Sequence, residues 1–204
     1  MTLDLQVTPT QPPDARAALG GFALGTQSGP DPAWPCQRLR AAVLGEPAAG
    51  CWETWLATGP ATAGVAGGLS WRRRGDLLFG LVEVDEAVPD AVPGVLPLEQ
   101  AAEQAYRQVF DLLDRQGLPH LWRVWNYLPD IHGLEAGLER YRRFNQGRAR
   151  AFESAARSVV GRVPAACALG VGGGPLSVAF LAGPTAPLAI ENPRQVSAFH
   201  YPPQ

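Results

Sequence analysis

The sequence predicts an α+β fold, a mixed sheet with two helices packed on one face. Three observations carry this. An apolar hairpin pattern runs through Gly68–Asp85, the hydrophobic period lengthens to 3.6 residues from Pro97, and two further apolar stretches close the pattern near the end of the chain. The resulting order, ββ-α-β-α-ββ, has strands pairing locally and helices inserted between them, as α+β domains do.

Each element has its own warrant. In GLSWRRRGDLLFGLVEVD, residues 68–85, two β-leaning apolar stretches flank RRRGD, which is expected to be a turn with Arg72–Arg74 in solvent. From Pro97 to Gln116 the residues Leu98, Ala102, Ala105, Val109, Leu112 and Leu113 form one stripe, with Pro97 at the start and Gly117 in the C-cap position. LPHLWRVWNYL, residues 118–128, is dense in aromatic and branched side chains and predicts a buried strand, followed by a loop at 129–133. Leu134–Ser158 is expected to be a second long helix, with Leu138, Tyr141, Phe144, Arg148 and Phe152 near one face. VPAACALG at 163–170 and LSVAFLAG at 176–183 predict strands joined by a VGGGP hairpin turn. Residues 1–64, rich in Pro, Gly and Ala, are expected to be an irregular segment with one or two short strands packed on the domain, Trp52 and Trp55 plugging a core edge.

Composition narrows the function classes. The chain has 204 residues, 46 % of them hydrophobic, with a formal charge of −2, so it is globular and lacks the basic field that nucleic acid or an anionic membrane would reward. No run of 18 or more apolar residues is present, and the first residues lack the basic and apolar regions of a signal peptide. Three cysteines and three histidines form neither a disulfide framework nor a metal-ligand spacing. A reduced, soluble, cytoplasmic protein with no visible metal cluster is expected.

Few motifs suggest chemistry. VGGGP at 171–175 is followed by Pro175 and a strand, whereas a phosphate loop needs Lys-Ser/Thr and a helix. His120 precedes an apolar strand and reads as structural, and the Asp130/His132 pair in one loop is weak ground for a dyad. The informative stretch is ERYRRFNQGRAR, residues 139–150. Tyr141 and Arg148 are two helical turns apart and project from nearly the same face. An arginine on a largely apolar face requires an anionic partner, either one of the 19 acidic residues of the chain or a ligand carboxylate, which guanidinium matches bidentately.

Longer strings are familiar as a set. Residues 105–152 (AYRQVF…RYRRFNQGRARAF), PAACALG at 164–170, FLAG at 180–183, IENPRQVSAFHYPPQ at 190–204 and DLLFG at 76–80 occur in the order in which they occur in the chorismatase family, and the chain resembles that family over about 65–204. The resemblance is to the xanthomonad type that makes 3-hydroxybenzoate and 4-hydroxybenzoate, a type often labelled pteridine-dependent dioxygenase-like. It implies a degenerate YjgF/RidA-like (chorismate mutase-like) domain at 65–187, an interdomain segment starting at 188–204, and a second, catalytic domain beyond this chain, in the same polypeptide or as a separate one. It implies chorismate as substrate, bound between the domains, with Tyr141, Arg148 and Tyr201 as substrate-binding residues. The catalytic acid, a glutamate in the family, has no counterpart here, so no catalytic residue is expected within 1–204 and the chain alone is expected to be inert. No metal, flavin or pteridine is implied. Pro164-Ala165 is followed by Ala166 where RidA-like proteins carry a carboxylate-binding arginine, which argues against a free-standing imine deaminase. A non-catalytic ligand-binding or assembly domain is the other alternative.

Overall fold

The structure, a computed structural model, describes residues 2–9, 16–25, 31–39, 50–86, 94–157, 164–188, 190 and 194. Its centre is a six-stranded mixed sheet in the order β11-β8-β12-β7-β6-β5. The strands are β5 (Ala61–Ala66), β6 (Leu69–Arg74), β7 (Leu77–Val84), β8 (His120–Pro129), β11 (Ala165–Val171) and β12 (Leu176–Gly183). All neighbours pair antiparallel except β11 and β8, which run parallel. Two helices, α1 (Pro97–Gln116) and α2 (Arg140–Ser154), cover one face. Their apolar stripes meet alternate residues of the sheet, Leu78 and Val82 of β7, Val124 and Leu128 of β8, and Val178 and Phe180 of β12, in one buried cluster.

The opposite face is covered as well, and here the expectation for residues 1–64 is corrected. The strands β1 (Leu3–Thr8), β2 (Ala18–Leu24), β3 (Cys36–Leu39) and β4 (Cys51–Ala57) form a second sheet in the order β1-β4-β2-β3. Leu19, Phe22, Leu39 and Ala57 of this sheet pack against Leu77, Phe79, Leu81, Ala179 and Leu181 of the central one. ALGGFAL resembles loop composition because its glycines serve contact rather than turning. A Cβ on Gly20 would overlap the Phe79 ring, so the bare backbone lets the two sheets approach. Trp55 packs into the space between the sheets, while Trp52 lies on the outer face against Trp34, with ring centroids 6.3 Å apart.

Three further expectations change. Arg72–Arg74 lie in strand β6, not in a solvated turn; Arg73 donates to the carbonyls of Gly75 (2.8 Å) and Gln116 (2.8 Å), and Arg74 to those of Ala18 (3.3 Å) and Gly59 (3.0 Å). The second helix begins at Arg140 rather than 134, because Ala136 and Gly137 take positive φ angles of 49° and 78° and turn β9 (Leu134–Glu135) back on β10 (Leu138–Glu139). The glycines at 172–174 join strands that are not neighbours, since β8 lies between β11 and β12. By contrast α1 has the predicted limits, and Gly117 caps it in the left-handed conformation at φ 62°.

The helices touch closely at Gly147, where an added Cβ would overlap the Glu99 carbonyl oxygen and crowd the Ala102 Cβ. Overpacking of this kind costs about 1–3 kcal/mol. Gly147→Ala is therefore expected to lower Tm by several degrees in thermal unfolding, at roughly 2–4 °C per kcal/mol for a chain of this size. Gly172→Ala, with open space around it, should leave Tm unchanged.

Candidate functional site

The two flanks of α2 differ. One faces α1 and is saturated with ion pairs. Arg143 bonds Glu99 at 2.9 Å, and Arg150 bonds Glu99 at 3.0 Å and Glu103 at 2.9 Å. Burial works against the Arg150 charge, but the hydrogen bonds to Glu103 and Glu99 and their charges more than offset it and raise its pKa. At the start of the helix Arg140 pairs with Glu86 and lies 3.8 Å from Glu135.

The other flank carries Tyr141, Asn145 and Arg148, at positions i, i+4 and i+7. Arg148 makes no ion pair among the described residues. Its guanidinium carbon stands 5.7 Å from the centre of the Phe144 ring and its charge acts on the Tyr106 hydroxyl. Burial pushes the Tyr106 phenol up, while Arg148 opposes that shift both by charge and by a side-chain hydrogen bond. The Tyr106 hydroxyl donates to Asn126 Oδ1 at 2.9 Å, and Asn126 Nδ2 donates to the Cys167 carbonyl of β11 at 2.8 Å. A hydrogen-bonded chain therefore runs from Tyr106 to Asn126 and the edge strand, and the Arg148 charge acts on its first member.

The origin of this relay is local. Strand alternation places Asn126 between Val124 and Leu128 on the helix-facing side of β8, fully buried, where only a hydrogen-bonded amide is tolerated. Tyr106 lies on the apolar stripe of α1 and is held by the Phe110, Phe144 and Phe152 rings at 5.7–6.3 Å. Tyr141 is 39 % exposed, and its backbone N–H bonds the Ile131 carbonyl at 3.0 Å. β11, at the end of the sheet, is exposed along much of its length and carries Ala166.

Tyr141 and Arg148 thus share one flank, as their spacing predicts. Tyr201 lies outside the described residues. The intramolecular ion-pair reading of Arg148 finds no carboxylate partner among the described residues. His132 bonds Glu139 at 2.9 Å rather than Asp130, and its side chain is almost wholly exposed. Tyr106, Asn126 and Asn145 were not singled out in the sequence. A polar residue inside an otherwise apolar strand was the available signal for Asn126, and Tyr106 falls four residues after Ala102 on the predicted stripe.

A cavity of about 530 Å³ lies elsewhere, at the rim of the two sheets, lined in part by Trp34, Cys36, Arg38, Trp71 and Glu83. Arg38 there is paired with Asp31 at 2.7 Å, and burial pushes the Cys36 thiol up to about 12, which keeps it an unreactive thiol. Neither Tyr141 nor Arg148 lines it. Among the described residues, no group of three or more His, Cys, Asp or Glu side chains could hold a metal ion, and no helix is long and apolar enough to cross a membrane.

Comparison with known proteins supplies the family. The model described as "Chorismatase FkbO/Hyg5-like, N-terminal" matches residues 53–182. A chorismatase of Streptomyces hygroscopicus is 36 % identical over 152 residues, which cover 74 % of this chain and 42 % of that protein. A 3-hydroxybenzoate synthase of the same organism is 34 % identical over 152 residues, with the same two coverages. The crystal structure of a chorismatase aligns with a TM-score of 0.79 at 30 % identity, covering 98 % of this chain and 60 % of that one. The chain spans less than half the length of these curated relatives. With the family model covering well over half of its residues, and a chorismatase structure superimposing on nearly all of them, the chain belongs to the chorismatase family, in the part that family's FkbO/Hyg5-like amino-terminal domain describes.

Proposed function

We propose that this chain supplies substrate-binding residues of a chorismatase that converts chorismate to pyruvate and a hydroxybenzoate, 3-hydroxybenzoate, 4-hydroxybenzoate or both. Residues 65–187 are the RidA-like amino-terminal domain, with the first sheet packed against it, and 188–204 begin the interdomain segment. The catalytic acid, which protonates the enolpyruvyl methylene before the side chain leaves as pyruvate, sits in a second domain of the kind the relatives carry beyond the matched region. A partly buried carboxylic acid suits that step. Tyr141, Arg148 and Tyr201 hold the substrate, and the reaction takes place in the cytoplasm without a cofactor.

The observation that carries the reading is the state of Arg148. It is a half-buried guanidinium whose charge acts on the Tyr106 hydroxyl, with no carboxylate of its own among the described residues. Chorismate has two carboxylates, and a guanidinium binds one with two parallel, charge-assisted hydrogen bonds. Exposed Leu134, Tyr141 and Leu169 leave apolar surface near this flank and at the sheet edge, as a surface that meets another domain would.

The test is to incubate the chain with chorismate, alone and together with the carboxy-terminal half of the Streptomyces hygroscopicus chorismatase, and to assay pyruvate and hydroxybenzoates. The chain alone should release no pyruvate above background, and the pair should release it. Turnover by the pure chain would overturn the division of labour, and a pair that neither binds nor converts chorismate would overturn the substrate.

A further inference from the structure

Asn145 is the third polar residue on the flank of α2 that carries Tyr141 and Arg148. Its Oδ1 is buried and has no hydrogen-bond partner among the described residues. Native proteins rarely leave a buried acceptor unmatched, and each one that stays unmatched calls for an explanation. Of the unmatched side-chain atoms among the described residues, the Asn145 oxygen is the one that shares a flank with Tyr141 and Arg148. Arg143 and Arg150 of the same helix bond glutamates on the opposite flank. The flank therefore presents donors at Arg148 and, one turn away, an acceptor that the chain's described residues do not satisfy.

We propose that Asn145 determines specificity by accepting a hydrogen bond from the ring hydroxyl of the substrate whose carboxylate Arg148 holds. The inference rests on the proposed function and extends it. At neutral pH chorismate is a dianion whose carboxylates and ether oxygen only accept hydrogen bonds, and its C4 hydroxyl is its one O–H donor. A guanidinium only donates, so it recognises the carboxylates and is blind to that hydroxyl. The amide oxygen of Asn145 has the opposite polarity, and Asn145 stands three residues before Arg148, on the same flank of the helix. A site built to bond a substrate hydroxyl discriminates strongly against the analogue that lacks it, because the protein's acceptor is then buried and unpaired.

The test compares chorismate with its 4-deoxy analogue on the chain paired with the carboxy-terminal half, reading KM for chorismate and Ki for the analogue from pyruvate release. With the native residue the analogue should bind at least tenfold more weakly than chorismate. Asn145→Leu should erase that gap by raising KM for chorismate about tenfold while leaving Ki within twofold, and Asn145→Ser, which keeps an acceptor, should restore part of the gap. Thermal unfolding of the isolated chain should show Asn145→Leu with an unchanged or higher Tm, since leucine removes an unpaired buried acceptor. Equal weakening of both ligands, or a native pair that binds them equally, overturns the assignment of Asn145 while leaving chorismate as the substrate. A native pair that binds neither overturns the substrate reading and this inference with it.

Discussion

Glu99→Ala is expected to destabilise the chain by about 3–5 kcal/mol, the range for removing one partner of a buried charge cluster. Glu99 lies in the first turn of α1, is only 6 % exposed, and has one oxygen on Arg143 (2.9 Å) and the other on Arg150 (3.0 Å). Its loss leaves the largely buried Arg143 with only the carbonyls of Glu135 and Ala136 and the Gln146 amide as partners, while Arg150 keeps Glu103. The cost is that of an uncompensated charge rather than of one lost hydrogen bond. The carboxylate is also well placed against the positive end of the helix dipole. Thermal unfolding should show Tm lower by on the order of 10 °C. The contrasting change is His132→Ala, which removes an exposed partner of Glu139 and should cost within about 1 kcal/mol. Comparable losses for both variants would mean that the α1–α2 contact is held by its apolar residues alone.

The legible parts of this fold were those in which local chemistry and tertiary packing agree. In α1, Pro97, the apolar stripe and Gly117 each predict the helix, and the structure gives its limits at Pro97 and Gln116. β7, β8 and β12 are buried strands of branched and aromatic residues and read as such. The first sheet was hidden because β2 is built from glycine and alanine, whose value is the space they leave for Phe79 and not a β-propensity of their own. The start of α2 was misplaced because Leu134 and Leu138 have helical spacing, while Ala136 and Gly137 supply a turn that only the backbone angles reveal. The strand order around β8 depends on long-range pairing, which no short window contains.

In the candidate site the division is similar. Tyr141 and Arg148 were identifiable because helix periodicity fixes their common face. The supports of Arg148 were not, because Tyr106 comes from α1 and Asn126 from β8, and only the packed helices and sheet bring their side chains to one another. Tyr106 was masked further by lying on a stripe where an aromatic ring needs no functional explanation. The Arg72–Arg74 run shows the opposite error. A charge run suggests solvent, yet Arg73 and Arg74 are bonded to four backbone carbonyls, those of Gly75, of Gln116 at the end of α1, of Ala18 at the start of β2, and of Gly59.

Arg148→Lys is expected to reduce kcat/KM for chorismate about ten- to a hundredfold in the chain paired with the carboxy-terminal half of the Streptomyces hygroscopicus chorismatase, while moving Tm of the chain by no more than about 2 °C. The reduction is the loss of a charge-assisted hydrogen bond, roughly 1.5–3 kcal/mol, because an ammonium cannot bond both carboxylate oxygens in one plane. Stability should barely respond. Lysine keeps the charge and most of the aliphatic stem, no ion pair among the described residues is broken, and the stacking on Phe144 is worth about 0.5–1 kcal/mol at a partly exposed site. Tyr106→Phe sharpens the test. It removes the hydroxyl on which the Arg148 charge acts and leaves Asn126 Oδ1 without its donor, so it should cost about 1–3 kcal/mol of stability as well as raising KM. If Tyr106 acts on substrate only through Arg148, the two substitutions together should lose less in kcat/KM than the sum of their separate effects, since the second removes support from a group already altered. Full additivity would mean that Tyr106 serves the core alone. Arg148→Lys with kcat/KM within twofold of the native pair and a clearly lowered Tm would make Arg148 a structural residue.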